Sequence, residues 1–345
     1  MAARYRVVDM HSAGEPVRLV VEGYPPLEGD TLLAKRRFVR ERLDHVRRAL
    51  MLEPRGHAEM YGVIPTAPSH PDCALAVLFM HNSGYSTMCG HATIAIGRWA
   101  VERGLVPATA PTTRFNLECP CGPVAVAVEW DGRRAGAVAF ESVPAFVERH
   151  GDALDLPGHG RVGFDIAYGG AFYAILPASR LGLDLLGDPL GRLVDAAGAL
   201  TDAIRTTRRI DHPSEPDLAF LYGTILTDGA APRSGRPTRN LCVFGDGQVD
   251  RSPTGSGVTA RIALDVAMGA LAIGEAREFR GASDVPFRGT ALRRASFAGR
   301  DAVIVGVSGT AHYAGEATFT VEDDDPLRDG LALPRSARWP VRPSG

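Results

Sequence analysis

The sequence predicts a protein of mixed α and β structure (α/β, of the α+β kind) built from two similar lobes. The chain has 345 residues, more than one hydrophobic core usually serves. Two turns of similar sequence begin at Cys89 and Thr254, which are 165 residues apart. Each turn begins with a residue whose side chain carries sulfur or oxygen, continues with small residues, and is followed by an apolar helix. Strands and helices also follow one another in a similar order in both halves. We therefore expect two lobes that each direct one group at a shared ligand.

The first half begins with two short apolar runs that suit strands, at 7–8 and 19–21. Asp30 is a suitable N-cap for a helix that continues to about Met51, because apolar residues recur there with the period of an amphipathic helix. Apolar runs predict the other elements of this half, namely a strand at 74–80, a buried helix at 92–101, and strands at 124–128 and 137–140.

The second half repeats this plan after a junction at 157–160, which is rich in glycine and proline. Its apolar helix follows the turn at Thr254, just as the helix of the first half follows Cys89. The predicted elements are strands at 172–176, 218–227, 239–244, 303–307 and 317–321, and helices at 189–206 and 258–268.

Composition and charge exclude several classes of protein. The chain is 45% hydrophobic and 23% charged, with a net charge of −2 and no basic patch, so we expect no nucleic-acid partner. We find neither a signal peptide nor an apolar run long enough to cross a membrane. The expectation is a soluble cytoplasmic protein with no membrane partner.

Lysine and cysteine usage argue against the common cofactors. Lys35 is the only lysine, and its polar surroundings predict a solvated helix face, which argues against pyridoxal phosphate because that cofactor needs a lysine for its Schiff base. The five cysteines are sparse and odd in number, so they predict neither a disulfide framework nor a metal site. We expect no metal and no cofactor.

The turn at Cys89 has the chemistry of a base beside an anion site. A thiol just before a helix lies near free backbone N–H groups, which stabilise the thiolate and so lower the pKa of the thiol, and which can also bind a carboxylate. Purely structural roles remain open at this point. A buried cysteine can act as a small hydrophobic residue, His91 can be a structural histidine, and Asp250 can form a turn. For His11, Glu15 and His212 we favour loop and capping roles over ligand contacts.

Two segments together resemble the active-site motifs of the proline racemase family, which includes hydroxyproline epimerases and trans-3-hydroxy-L-proline dehydratases. They are Met-Cys-Gly-His at 88–91 and Asp-Arg-Ser-Pro-Thr-Gly-Ser-Gly at 250–257. Segments 9–16, 53–57 and 169–173 are similar to further family segments, so the resemblance covers most of the chain. Family members that racemise use two cysteines, whereas the dehydratase branch resembles this chain in carrying threonine at the second position.

The resemblance implies two pseudo-symmetric lobes of the diaminopimelate epimerase type, each a curved, barrel-like and mostly antiparallel sheet around a central helix. The expected lobes are 1–157, carrying Cys89 and completed by 315–345, and 158–314, carrying Thr254. By the same resemblance, Cys89 and Thr254 flank the α-carbon of a small imino acid. The other implied contacts are His91 and Asp250 to the ring nitrogen, and Gly90, Gly255 and Ser256 to the carboxylate.

The pairing of a thiol with an alcohol selects among the reactions of the family. Racemisation needs a base on one face of the substrate and an acid on the other, and an aliphatic hydroxyl does not ionise easily. We therefore expect a hydro-lyase that dehydrates trans-3-hydroxy-L-proline to Δ1-pyrroline-2-carboxylate, with Cys89 removing the α-proton. The alternatives are a proline racemase or hydroxyproline epimerase, and a non-catalytic protein that binds an imino acid. A homodimer is compatible with all three.

Overall fold

The computed structural model describes residues 2–333, which form five α-helices and eighteen strands. The helices are α1 (Leu32–Arg42), α2 (Asp44–Met51), α3 (Gly90–Glu102), α4 (Leu190–Thr207) and α5 (Gly255–Ala267). The strands are β1 (Ala3–Ser12), β2 (Glu15–Glu22), β3 (Tyr61–Thr66), β4 (Leu75–His81), β5 (Gly84–Ser86), β6 (Thr112–Cys119), β7 (Gly122–Trp130), β8 (Ala135–Glu141), β9 (Phe146–Leu156), β10 (Gly160–Tyr168), β11 (Phe172–Pro177), β12 (Leu221–Thr227), β13 (Thr238–Phe244), β14 (Gln248–Asp250), β15 (Ala276–Arg280), β16 (Pro286–Phe297), β17 (Arg300–Gly309) and β18 (Ala311–Val321).

The strand pairings repeat along the chain. In the first half, β1–β2 is antiparallel, β2–β3 parallel, β3–β4 and β4–β5 antiparallel, β4–β6 parallel, and β6–β7 and β7–β8 antiparallel. In the second half the same sequence of pairings runs from β10 to β17, with β10, β11, β12, β13, β14, β15, β16 and β17 in the places of β1 to β8. The predicted pseudo-symmetric, mostly antiparallel architecture is confirmed.

The two halves exchange their last strands. β9, which follows the first set in the sequence, pairs with β10, and β18, which follows the second set, pairs with β1. The predicted lobe boundary at 157/158 lies in the turn of the β9–β10 hairpin. The lobe bounds stay a prediction, and residues 334–345 of the predicted closing segment lie outside the described residues.

Each half wraps its curved sheet around one apolar helix. Every residue of α3 from Gly90 to Val101 is buried, and the helix packs against β1, β2, β7, β8 and β18. Helix α5 is also mostly buried and packs against β9, β10, β11, β16 and β17. Because these helices are apolar on nearly all sides, they are stable only inside a sheet that surrounds them. Their N-termini point into the region between the halves.

The helix predicted from Asp30 to Met51 is two helices, and its predicted cap is wrong. Thr31 caps α1, its hydroxyl accepting a hydrogen bond from the backbone N–H of Ala34 at 3.1 Å. The helix breaks at Leu43, which has φ −123° and ψ 16°. A period of apolar residues continues across such a break, so the sequence alone does not reveal it. In the described part of the chain, no helix has both the length and the apolar character needed to cross a membrane.

Candidate active site

The two central helices meet end to end. A Cβ atom added to Gly90 would lie 2.4 Å from the Cα of Gly255, and one added to Gly255 would lie 2.6 Å from the Cα of Gly90. Only glycine allows two backbones to approach this closely. The contact brings the preceding residues, Cys89 and Thr254, to one small cavity between the halves. All seven predicted site residues line it: Cys89, Gly90, His91, Asp250, Thr254, Gly255 and Ser256.

Cys89 is the N-cap of α3 and is only 4% exposed. Its sulfur accepts a hydrogen bond from the backbone N–H of Ala92 at 3.4 Å and lies 3.2 Å from Nδ1 of His91. Burial raises the pKa of the thiol well above its usual value, and the Ala92 N–H and the Tyr61 hydroxyl oppose that rise only in part. The sequence-based expectation of a lowered thiol pKa is therefore wrong for this closed site, because loss of solvent outweighs the helix N-terminus.

His91 and Asp250 lie side by side in the cavity, with His91 Nδ1 at 3.8 Å from Asp250 Oδ2. Burial lowers the pKa of His91 to about 4, although the charge of Asp250 acts in the opposite direction. The imidazole is therefore neutral at pH 7. The other carboxylate oxygen of Asp250 accepts a hydrogen bond from the backbone N–H of Ser252 at 2.8 Å, which fixes its orientation. A carboxylate and a neutral imidazole held this way can bind a cationic N–H group.

Thr254 differs from Cys89 in backbone conformation and in the use of its side chain. Its φ is +63°, an uncommon value for a β-branched residue. Hydrogen bonds hold the turn in place, from Thr254 N to Ser252 Oγ at 3.0 Å and from Asn240 Nδ2 to the carbonyl of Pro253 at 2.8 Å. The Thr254 hydroxyl is buried, does not cap α5 and forms no regular hydrogen bond among residues 2–333, and the polar group beside it is the Cys242 thiol. Strained residues and unpaired buried groups of this kind concentrate at functional sites.

The facing N-termini of α3 and α5 have the chemistry of an anion site. The first N–H groups of a helix have no partner within it, and the N-termini of α3 and α5 bring two such sets together. At the start of α5, the hydroxyl of Ser256 is hydrogen-bonded to the hydroxyl of Tyr173 at 2.7 Å. The arrangement suits a carboxylate bound beside the contact of Gly90 and Gly255, where N–H groups from both helix N-termini can reach it.

Six further residues line the cavity, and the sequence analysis assigned no role to any of them. They are Tyr61, Met88, Tyr173, Tyr222, Cys242 and Phe244. Tyr222 stacks on Phe244, with ring centroids 5.2 Å apart. Most of these residues are on strands with apolar sequences, and such sequences are as typical of the hydrophobic core as of a cavity wall. Only Tyr173 and Met88 fall in segments that resemble the family, so the sequence holds no other sign of this aromatic wall.

Three residues for which loop or capping roles were favoured lie outside the cavity lining. Glu15 is 1% exposed and accepts hydrogen bonds from the backbone N–H of Arg251 at 2.8 Å and from its guanidinium at 3.2 Å. Through these bonds to Arg251, Glu15 stabilises the turn that carries Asp250, although it does not line the cavity. His11 stacks on His312 with centroids 5.3 Å apart, and His212 packs on Tyr168 at 5.0 Å. Within residues 2–333 there is no group of three or more His, Cys, Asp or Glu residues that could hold a metal ion.

The comparisons with known proteins agree with this geometry. The family model described as "Proline racemase" matches residues 7–332. The human trans-3-hydroxy-L-proline dehydratase is 56% identical over 333 residues, covering 95% of this chain and 94% of the human protein. The 3-hydroxyproline 2-epimerase of Burkholderia multivorans is 42% identical over 327 residues, covering 94% and 97%.

A solved structure confirms the fold class. The hydroxyproline epimerase from Agrobacterium vitis, with trans-4-hydroxy-L-proline bound, superposes with a TM-score of 0.90 at 26% identity and covers 96% of each chain. From the match of the family model across almost the whole chain and the identity to these relatives, we conclude that the chain belongs to the proline racemase family.

Proposed function

We propose that the protein dehydrates trans-3-hydroxy-L-proline to Δ1-pyrroline-2-carboxylate without a cofactor. One observation carries the proposal: the cavity has a thiol at the end of one central helix and a threonine hydroxyl at the end of the other. A thiol can ionise to a thiolate, which accepts a proton, whereas an aliphatic hydroxyl stays neutral. The identity of 56% to the human dehydratase supports the same conclusion.

The substrate binds as a zwitterion. Its carboxylate lies beside the contact of the α3 and α5 N-termini, held by N–H groups at Gly90 and Gly255 and by the hydroxyl of Ser256. Its charged ring nitrogen donates hydrogen bonds to Asp250 and to His91, which is neutral and can accept one. The unpaired hydroxyl of Thr254 gains a partner on the substrate, which offsets the cost of its burial, about 1–3 kcal/mol for such a group.

Substrate binding also supplies what Cys89 needs to act as a base. In the closed site, burial raises the pKa of the thiol, and a cationic nitrogen placed nearby favours the thiolate. The thiolate then removes the α-proton, and the charge spreads into a carboxylate that the helix N-termini stabilise. The reaction thus depends on charge brought in by the substrate.

Loss of water follows from the stereochemistry. In trans-3-hydroxy-L-proline, the α-hydrogen and the 3-hydroxyl are on the same face of the ring. Electrons from the broken C–H bond form a carbon–carbon double bond as the C–O bond breaks, and the enamine product tautomerises to Δ1-pyrroline-2-carboxylate. Thr254, on the opposite face, neither gives nor takes a proton, so the α-carbon is not inverted.

The test is a product assay on the purified protein with trans-3-hydroxy-L-proline, beside L-proline and trans-4-hydroxy-L-proline as substrates for inversion. We expect pyrroline product from the first and no change in optical rotation with the other two. Cys89→Ser should abolish the product while leaving the fold intact. Inversion without pyrroline would indicate a racemase or epimerase. Binding of pyrrole-2-carboxylate, a planar mimic of the carbanion, without any turnover would indicate a binding protein.

A further inference from the structure

Tyr61 is the first residue of β3 and carries a phenol into the cavity beside Cys89. The side chain is 2% exposed and lines the cavity. Its hydroxyl is hydrogen-bonded to the hydroxyl of Ser86, three residues before Cys89 in the sequence. The ring meets that of His91 edge to face, with centroids 4.8 Å apart at 73°. These contacts fix the phenol in one position.

The phenol and the thiol belong to the same half of the site. Tyr61, Ser86 and Cys89 are on β3, on β5 and at the N-cap of α3, all from the first set of elements, whereas Thr254 comes from the second set. The hydroxyl of Tyr61 is also one of the groups that favour the Cys89 thiolate, after the N–H of Ala92, and the Tyr61 ring and the Cys89 sulfur both contact the imidazole of His91. A proton donor is therefore present on the face where the α-proton is removed.

Other groups in the cavity suit this task less well. Burial lowers the pKa of His91 to about 4, so at pH 7 the imidazole is neutral, and its one remaining N–H is a much weaker acid than an imidazolium. The hydroxyl of Tyr173 is paired with Ser256 at the carboxylate site, and Tyr222 extends from β12 in the other half. Burial raises the pKa of Tyr61 well above its usual value, and the charge of Cys89 adds to that rise, so this phenol keeps its proton until a strong base forms beside it.

We propose that Tyr61 is a catalytic acid that protonates the 3-hydroxyl as it leaves, an inference that rests on the proposed dehydration. The thiolate of Cys89 takes the α-proton, the C–H electron pair forms the new double bond, the C–O bond breaks, and the leaving oxygen takes the phenolic proton to become water. The phenolate then takes the proton from the Cys89 thiol, which restores the tyrosine and the thiolate. The α-proton thus ends on Tyr61 and the phenolic proton in the water, so atoms and charge balance over one turnover.

The experiment compares two leaving groups in wild type and Tyr61→Phe. General acid catalysis contributes about 100-fold or more, so Tyr61→Phe should dehydrate trans-3-hydroxy-L-proline at least about 100-fold more slowly. Chloride leaves without a proton, so pyrroline formation from trans-3-chloro-L-proline should stay within about fivefold of wild type. Because the ring of phenylalanine is the same size, packing around His91 is preserved.

A matched control is Tyr168→Phe, which removes another buried phenolic hydroxyl, one without a hydrogen-bond partner among the described residues and outside the cavity lining. It should leave both rates near wild type. A Tyr61→Phe enzyme that dehydrates the hydroxy substrate at nearly the wild-type rate, or that loses both reactions equally, overturns the role of Tyr61. A wild-type enzyme that makes no pyrroline from the hydroxy substrate contradicts the proposed function itself, so the two failures are distinguishable.

Discussion

Gly90 and Gly255 are in backbone contact, so a Cβ on the first would lie 2.4 Å from the Cα of the second. The contact is what holds a thiol and a hydroxyl from distant parts of the chain at one cavity. It also makes the spacing of the two helix N-termini a fixed property of the backbone, which side-chain rotamers cannot adjust. The carboxylate site that we propose beside this contact depends on that spacing.

We predict that Gly90→Ala and Gly255→Ala each abolish activity and lower the melting temperature. The added methyl group meets backbone atoms rather than a flexible side chain, so one helix must shift and the site must widen. Thermal unfolding and the product assay measure the two effects.

The control for the glycine variants is Gly198→Ala on α4, where an added Cβ has no heavy atom within 4 Å. Alanine favours the helix there, so this variant should be as stable as wild type or more stable, by about 0.5–1 kcal/mol, with full activity. If Gly90→Ala behaved like Gly198→Ala, the close approach of α3 and α5 would not be required for function.

Replacing Thr254 by cysteine should add a reaction. A thiol on the second face can donate and accept protons, so Thr254→Cys should convert L-proline slowly to D-proline, a conversion that we do not expect of the parent. Chiral chromatography measures it, and Thr254→Ser, which keeps a hydroxyl, is the matched control. A folded Thr254→Cys protein that binds pyrrole-2-carboxylate but shows no inversion would contradict the role given to Thr254.

Removing the carboxylate of Glu15 should loosen the turn that carries Asp250. Glu15→Ala leaves the backbone N–H of Arg251 without its buried acceptor, a loss that costs about 1–3 kcal/mol. We expect a lower melting temperature and a raised KM, since Asp250 is the adjacent residue. Glu22→Ala removes the exposed partner of Arg6 instead and should change neither quantity appreciably. Equal effects of the two substitutions would exclude a special role for Glu15.

His81 should make the protein less stable in acid. Burial lowers its pKa to about 3, so between pH 6.5 and 3 the unfolded chain binds a proton that the folded protein does not. The contribution of His81 to the free energy of unfolding is therefore at its full value above pH 6.5. It declines as the pH falls below 6.5, by up to about 1.4 kcal/mol per pH unit. Urea unfolding of wild type and His81→Gln at pH 6.5, 5.5 and 4.5 should show the stability difference between them shrinking towards low pH. A difference that stays constant with pH would show that His81 is not the group responsible.

Much of the fold could be predicted from apolar runs, and the exceptions have physical reasons. Helices α3 and α5 and strand β4 are buried and have sequences that are apolar almost throughout, whereas α4 buries only one apolar face. Strands β9 and β16 were not predicted, since each has exposed, charged residues along much of its length. The break at Leu43 was also missed, because it leaves the apolar period intact.

The residues of the site divide in the same way. Those in the two turns were predicted, because a turn between a strand and a helix N-terminus uses small and polar residues that stand out in the sequence. Tyr61 and Tyr222 were not, because they enter the cavity from strands that otherwise form the core. The predicted direction of the Cys89 pKa shift was wrong for a further reason. Burial raises this pKa, and burial comes from tertiary packing, which the local sequence does not reveal.

The pairing of β18 with β1 has a consequence for biosynthesis. The first half cannot complete its sheet until residue 321 has been made, although the rest of that half has already left the ribosome. The edge of β1 stays unpaired during that interval, and such an edge invites contact with other chains. Folding of the half that contains Cys89 therefore waits for the synthesis of β18, and an N-terminal fragment ending near residue 145 should be prone to aggregate.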